Sequence, residues 1–260
     1  MPYKKILTGI VLLILIGGVA PFAGCEVVTG SGETSTFEMD YADFTRVEIG
    51  TGFDVEITRA DDYYVSITVD KSLYEYLSIG TRGDTLHVGL KDNYVYTAAA
   101  RRAVIRLPDM RRLELAGGSR ATVTGFSVSH SIDFNLSGGS NLMLSPMQVG
   151  DGSFVLSGGS SVTGDIEMSN GRFDLSGGSR LNLTGAATYI KVKASSASDV
   201  ILAEFPVPSA GIELSGASHA VINVSDTMDV NLSGASSLEY IGNPKLSSMQ
   251  MSGGSTLNQR

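Results

Sequence analysis

From about residue 110 to the C-terminus, apolar and polar positions alternate in short bursts that return every 18–21 residues. Eight segments read Leu-Ser-Gly-Gly-Ser or a close variant, beginning at Leu115, Leu136, Leu156, Leu175, Ala194, Leu214, Leu232 and Met251. The fifth, Ala194-Ser195-Ser196-Ala197-Ser198, is degenerate but keeps its phase. Two positions before each anchor stand Leu113, Phe134, Phe154, Phe173, Val192, Ile212, Val230 and Met249, all apolar. Six positions after it stand Ala121, Leu142, Val162, Leu181, Val200, Ala220, Leu238 and Leu257, again all apolar. One position before the anchor the column is polar except at Val155.

Apolar positions two apart with polar ones between are the period of a half-buried strand. Repeats of 18–21 residues are too short for a strand–helix–strand unit of about 30. The Leu-x-Leu-x-x-Asn pattern of leucine-rich repeats is absent. One coil of a parallel β-helix per repeat fits, with coils rising by about 4.8 Å. The expected fold is therefore all-β, a β-solenoid of about eight coils forming a rod on the order of 40 Å long. The Gly-Gly or Gly-Ala pair marks the corner, where a tight turn needs positive φ. Every copy then has a serine, Ser119 through Ser255, expected to form a hydroxyl ladder in which each donates to one neighbour and accepts from another.

Residues 37–110 alternate less regularly. Strands are expected at Phe53–Arg59, Tyr64–Val69, Leu86–Leu90 and Ala103–Leu107, with a short helix over Lys71–Leu77 and a turn at Gly83-Asp84. They read as an irregular β cap or first coils, since an open terminal coil offers a pairing edge. Pro244 and Asn258-Gln259-Arg260 are expected to blunt the other end. Glu26–Thr36 is rich in Gly, Ser and Thr and reads as a tether, giving a division into 1–24, 25–36, 37–110 and 111–260.

The first of these is a leader. Lys4 and Lys5 precede an apolar run from Ile6 to Ala20, followed by small residues, the layout of a secretory signal peptide. Phe22-Ala23-Gly24-Cys25 resembles a bacterial lipobox, although Leu is usual where Phe22 stands. That resemblance implies cleavage before Cys25, diacylglycerol on its thiol, and export to the extracytoplasmic side of the envelope. An uncleaved N-terminal anchor, or cleavage that leaves a free thiol, are the alternatives. Cys25 is the sole cysteine, so no intrachain disulfide staples the fold. Loss of Lys4 and Lys5 with the leader would take the formal charge from −8 to −10. Such an acidic chain does not fit nucleic acid, whose phosphates demand a basic footprint.

The repeat Leu-Ser-Gly-Gly-Ser-x-Leu-x-Leu resembles the bacterial family called putative auto-transporter adhesin, head GIN domain. Phe44-Thr45-Arg46-Val47-Glu48-Ile49, then Gly52-Phe53-Asp54-Val55-Glu56-Ile57, looks like that family's opening. Leu107-Pro108-Asp109-Met110-Arg111-Arg112-Leu113 looks like its entry into the repeats. The resemblance spans about residues 37–258 and implies a right-handed parallel β-helix, a cell-surface lipoprotein and an adhesive role. It carries over no catalytic residue.

Three clusters invite chemistry. Tyr63, Tyr64, Tyr74, Tyr76, Tyr94 and Tyr96 gather in the cap, either to stack on sugar rings or to pack against one another. Arg101, Arg102, Arg106, Arg111 and Arg112 could dock an anionic wall polymer or lipid headgroups, or simply face solvent. His87, His130 and His219 are scattered without acids at ligand spacing, so no metal site is expected. Glycan-cleaving β-helices need clustered carboxylates, but Asp133, Asp174 and Asp229 fall in different columns or distant coils. Neither catalytic residues nor a cofactor are expected. The expected function is a surface-tethered binding module for envelope or host glycans or a cell-wall polymer. A carbohydrate-active lyase or hydrolase and a structural envelope protein are the alternatives.

Overall fold

The computed structural model describes residues 26–260, a β-solenoid of about seven turns. The eight anchors delimit the seven intervals of its repetitive part. Each turn lays one strand on each of two long parallel ladders. We call the strand before the glycine pair face A and the one after it face B. The expected columns are the observed register. On face A, Leu113 pairs with Phe134, then Phe154, Phe173, Val192, Ile212, Val230 and Met249. On face B, Ala121 starts the series that ends at Leu257. Apart from the final coil, both columns are buried.

The glycine pair is not symmetric. Gly158 has φ +63°, and a Cβ on it would lie 3.2 Å from the backbone nitrogen of Gly138 in the preceding coil. Gly159, at φ +77°, would meet nothing within 4 Å. The first position is therefore crowded by the preceding coil as well as constrained in dihedral, although Ser196 and Thr51 occupy it at φ 56° and 54°, whereas the second is constrained only in dihedral. That is why Ala197, Ala217 and Ala235 occur at the second position, each with φ 61°.

The serines behave differently from expectation. Each hydroxyl donates to the carbonyl three residues back in its own turn, as Ser160 does to Ser157 and Ser179 to Ser176, both at 2.7 Å. Hydroxyls elsewhere do bridge stacked coils, Ser209 with Thr227 at 2.8 Å and Thr256 to Ser237 at 3.0 Å, but the column serines are committed to their own turns instead. Seven of these serines, Ser119 through Ser236, are buried, so the hydroxyl satisfies a turn carbonyl that water cannot reach.

The cap is more orderly than expected, and its chain order is unusual. Arg46–Ile49 and Asp54–Arg59 form a regular coil in phase with the repeats, Val47 opposite Leu113 and Val55 opposite Ala121. A further coil, Thr85–Leu90 and Arg101–Leu107, stacks on its other side. The chain thus starts its solenoid one coil in, builds outwards, and returns to continue from Arg112. Beyond that outer coil the sheets close with antiparallel strands. Leu77–Arg82 hairpins onto Thr85–Leu90 through the Gly83-Asp84 turn, and Tyr64–Asp70 pairs with Arg101–Leu107. The 3-10 helix Lys71–Tyr76 buries Leu73 completely.

Within the segment expected as a tether, residues 26–36 are largely structured. Glu26–Thr29 pairs with Tyr94–Thr97, and Thr34–Met39 pairs with Tyr64–Asp70. Between them Asp70 accepts from the Ser31 and Gly32 amides and from both the Ser31 and Ser72 hydroxyls. These bonds hold its carboxyl far below the ordinary carboxylate range, led by the Ser31 amide. Small polar residues here are ligands for that carboxylate rather than the mark of a loose linker. The signal peptide and Cys25 lie outside the described residues.

At the other end, Asn258-Gln259-Arg260 do not cover the core. Gln259 bonds to the Gly242 carbonyl and Arg260 to Glu239, while inward-column Met249 and Met251 are 56% and 40% exposed.

Candidate functional site

The outward rows of face A are the richest surface of the solenoid. Because side chains alternate along each strand, rows at one, three and five residues before the anchor all point outwards. The register fixes their neighbours from coil to coil. In the first row Val155, Asp174, Lys193, Glu213 and Asn231 follow one another. They line a shallow concavity of about 450 Å³, with Ser176 and Ser195 at its turn edge. In the other two rows Asp133, Asp151, Asn170, Arg172, Tyr189 and Lys191 line a second concavity of about 280 Å³. Tyr189 is 40% exposed, and its hydroxyl fills the space a Cβ on Gly211 would need.

These charges are arranged as bridges. Lys193 and Lys191 reach the two oxygens of Glu213 at 2.8 and 3.1 Å. The hydrogen bond from Lys193, followed by that from Lys191, holds the Glu213 carboxyl below its ordinary value. Arg172 reaches Asp174 at 2.6 Å, and Arg112 reaches Asp133 at 3.0 Å. A glycosidase acid needs a carboxyl kept protonated by its surroundings. Glu213 is pushed in the opposite direction, so it suits binding and not proton donation.

The arginine and tyrosine clusters, adjacent along the chain, disperse in the fold. Arg106 sits over the Tyr64 ring at 5.1 Å, Arg111 pairs with Asp109, and Arg112 belongs to face A. Arg102 faces Asp54 on face B. Arg101 lies against Gly52 near Tyr96, where burial lowers its pKa. The tyrosines pack together, Tyr76 against Tyr94 and Tyr96 at 4.7 and 5.8 Å, Tyr63 against Phe44 and Tyr74 against Phe37.

The histidines do have acidic neighbours, contrary to expectation, because stacking brings in residues about one coil away. His130 meets Asp109, and His87 meets Glu48 at 3.6 Å. His219 Nδ1 lies 2.8 Å from Asp199, and its Nε2 is 4.0 Å from Glu239. Ser237 follows His219 in the same row, but its hydroxyl accepts from Thr256. The residue types of a hydrolytic triad are thus stacked without the nucleophile–base bond that chemistry requires. Among the described residues no group of three potential ligands could hold a metal ion, and no helix is long and apolar enough to cross a membrane.

Residues 43–244 match the model of the family described as putative auto-transporter adhesin, head GIN domain. The chain belongs to that family. Two solved structures share the fold: putative adhesins from Parabacteroides merdae and Parabacteroides distasonis. Each is 17% identical with a TM-score of 0.83, over 90% of this chain and 99% and 100% of theirs. A protein called a putative lipid binding protein, also from P. distasonis, is 18% identical with TM-score 0.83, over 90% of this chain and 100% of its own. No curated protein matches the chain. The matched residues include the opening coil at Arg46–Arg59, an in-phase copy of the repeat that the Leu-Ser-Gly-Gly-Ser motif misses. Its signal was present: Val47, Ile49 and Val55 occupy the three apolar columns, but Phe53 replaces the serine.

Proposed function

We propose that this head GIN protein is a lipid-anchored, extracytoplasmic adhesion module that binds an extended glycan along face A and catalyses nothing. One observation carries the reading: three outward rows, spaced at strand intervals on a close-packed core, set exposed Tyr189 among carboxylates, cations and amides. Sugar rings present apolar C–H faces to an aromatic ring and hydroxyls to planar polar groups. A polymer can register with a repeating surface, so weak contacts add through avidity. A lipid-binding role, the name given to one structural relative, is less well supported because these face A concavities are shallow, polar and open. Anchoring rests on Cys25 and the leader before it, and the mass of protein extracted from membranes tests it directly.

The test of binding is a screen of residues 26–260 on glycan and cell-wall polymer arrays, followed by variants. Tyr189→Ala, Arg172→Ala and Lys191→Ala should each weaken binding several-fold and jointly abolish it. Met143→Ala on face B should leave it unchanged. Polymer cleavage abolished by a single Asp, Glu or His substitution would overturn the reading in favour of an enzyme.

A further inference from the structure

We infer that the short sheet made by Glu26–Thr29 and Tyr94–Thr97 is a membrane-apposed foot, on which the capped end of the solenoid rests directly against the lipid surface. The inference rests on the proposed acylation of Cys25 and goes beyond it, from attachment to orientation.

The register pairs Val27 with Val95 and Thr29 with Thr97. Paired residues of a parallel ladder project to the same side. These four form one outer face, and Val27 and Val95 are 60% and 44% exposed. Val28, on the opposite side, is buried in the core alongside partly buried Tyr94 and Tyr96. The outer face carries no charge on a chain of formal charge −8. Single exposed apolar residues are ordinary. A charge-free β-branched pair at the point where the chain emerges from its anchor calls for a partner.

Chain reach identifies that partner. Consecutive Cα atoms are about 3.8 Å apart, so Val27 cannot lie more than about 8 Å from Cys25. Acyl chains in the hydrocarbon hold Cys25 at the interface, which brings Val27 to the headgroup region. A flexible linker over residues 25–36 would have allowed the body to drift by roughly 20 Å. That slack is absent, because Glu26–Thr29 is paired, Gly30 donates to the Thr97 carbonyl at 2.9 Å, and Ser31 and Gly32 are tied to Asp70. The foot adjoins the outermost coil, Thr85–Leu90 and Arg101–Leu107, so the remaining coils extend from that end.

The chain contains no tryptophan, so a single Trp is an unambiguous depth reporter. Full-length protein purified from membranes, carrying Val95→Trp, is reconstituted on phosphatidylcholine vesicles with and without brominated acyl chains. Met143→Trp on face B, Val155→Trp on face A and Met249→Trp at the far end are the comparisons. Quenching and blue-shifted emission for Val95→Trp, with little change for the other three, are expected. Vesicle-bound Val95→Trp that is quenched no more than the others would overturn the foot while leaving the anchor intact. Protein whose mass lacks the diacylglycerol, and which does not float with vesicles, would instead remove the anchor and the foot with it.

Discussion

Phe154 is the most informative place to perturb the core. Its ring stacks on Phe134 at 4.7 Å and 19°, and lies 5.4 Å from Phe173 at 33°. All three are fully buried. A Cβ on Gly152 would sit 3.2 Å from the Phe154 ring and 2.9 Å from the Met168 sulfur, so the surroundings are already close-packed. The two coils flanking Phe154 are held at strand spacing by continuous backbone ladders and cannot close on a void. Phe154→Ala should therefore lie within the range for large-to-small aromatic changes, about 3–5 kcal/mol. Asp174→Ala, one row outward, loses only its ion pair with half-exposed Arg172 and should cost less than about 1 kcal/mol. Urea denaturation of both variants reads this as midpoint shifts at constant slope. Equal midpoints would refute the assignment of inside and outside on face A, and with it the register argument for the binding surface.

Three further outcomes follow from the turn and the cap. Gly158→Ala should cost several times as much as Gly159→Ala, because only the first adds a backbone clash to the roughly 1–2 kcal/mol of left-handed strain; similar melting shifts would contradict this. Ser160→Ala should cost about 1–3 kcal/mol by leaving the Ser157 carbonyl without its donor, and more than Ser255→Ala in the less buried last coil, as measured by urea midpoints. Asp70 has a depressed pKa in the folded chain, so its contribution is present above the ordinary carboxylate value and fades as pH falls towards the folded one. Amides of Ser31 and Gly32 should accordingly lose protection from hydrogen exchange in Asp70→Asn at neutral pH, while amides at Phe154 and Phe173 keep theirs; unchanged protection at Ser31 would rule out the clamp.

The repeating coils were legible because two independent signals agree there. Alternation within each burst identifies strands, and recurrence of the burst identifies which strands stack. Phe134, Phe154 and Phe173 could be placed against one another with no coordinates at all. The tendency of alanine to replace the second glycine was also visible, but its cause, the approach of the previous coil to the first, needed the backbone. The serine column shows the opposite failure. Eight identical residues in phase imply stacking, yet each hydroxyl is taken by a turn carbonyl three residues away in the same chain. Residues 46–59 were missed as a full coil because recognition hung on the turn motif rather than on the apolar columns. The reversed order of the first coils has no local signal, since it depends on where antiparallel strands such as Tyr64–Asp70 return.

The candidate site was half legible for the same reason. The row containing Asp174, Lys193 and Glu213 could be written from the repeat, but the bridging of Glu213 by two lysines depends on side chains from adjacent rows. That bridging constrains function. A carboxylate already satisfied by Lys191 and Lys193 gives little to a ligand cation and cannot hold a catalytic proton at neutral pH. Side chains already engaged in such bridges have less freedom to lose when a polar ligand lies across them. An ordered, nearly charge-compensated strip recognises neutral hydroxyls better than isolated ions, because a strongly charged ligand would have to break existing pairs. On the proposed reading, face A would meet uncharged sugar units spaced along a chain, each contributing weakly. The stacked coils supply the length over which those contributions would accumulate.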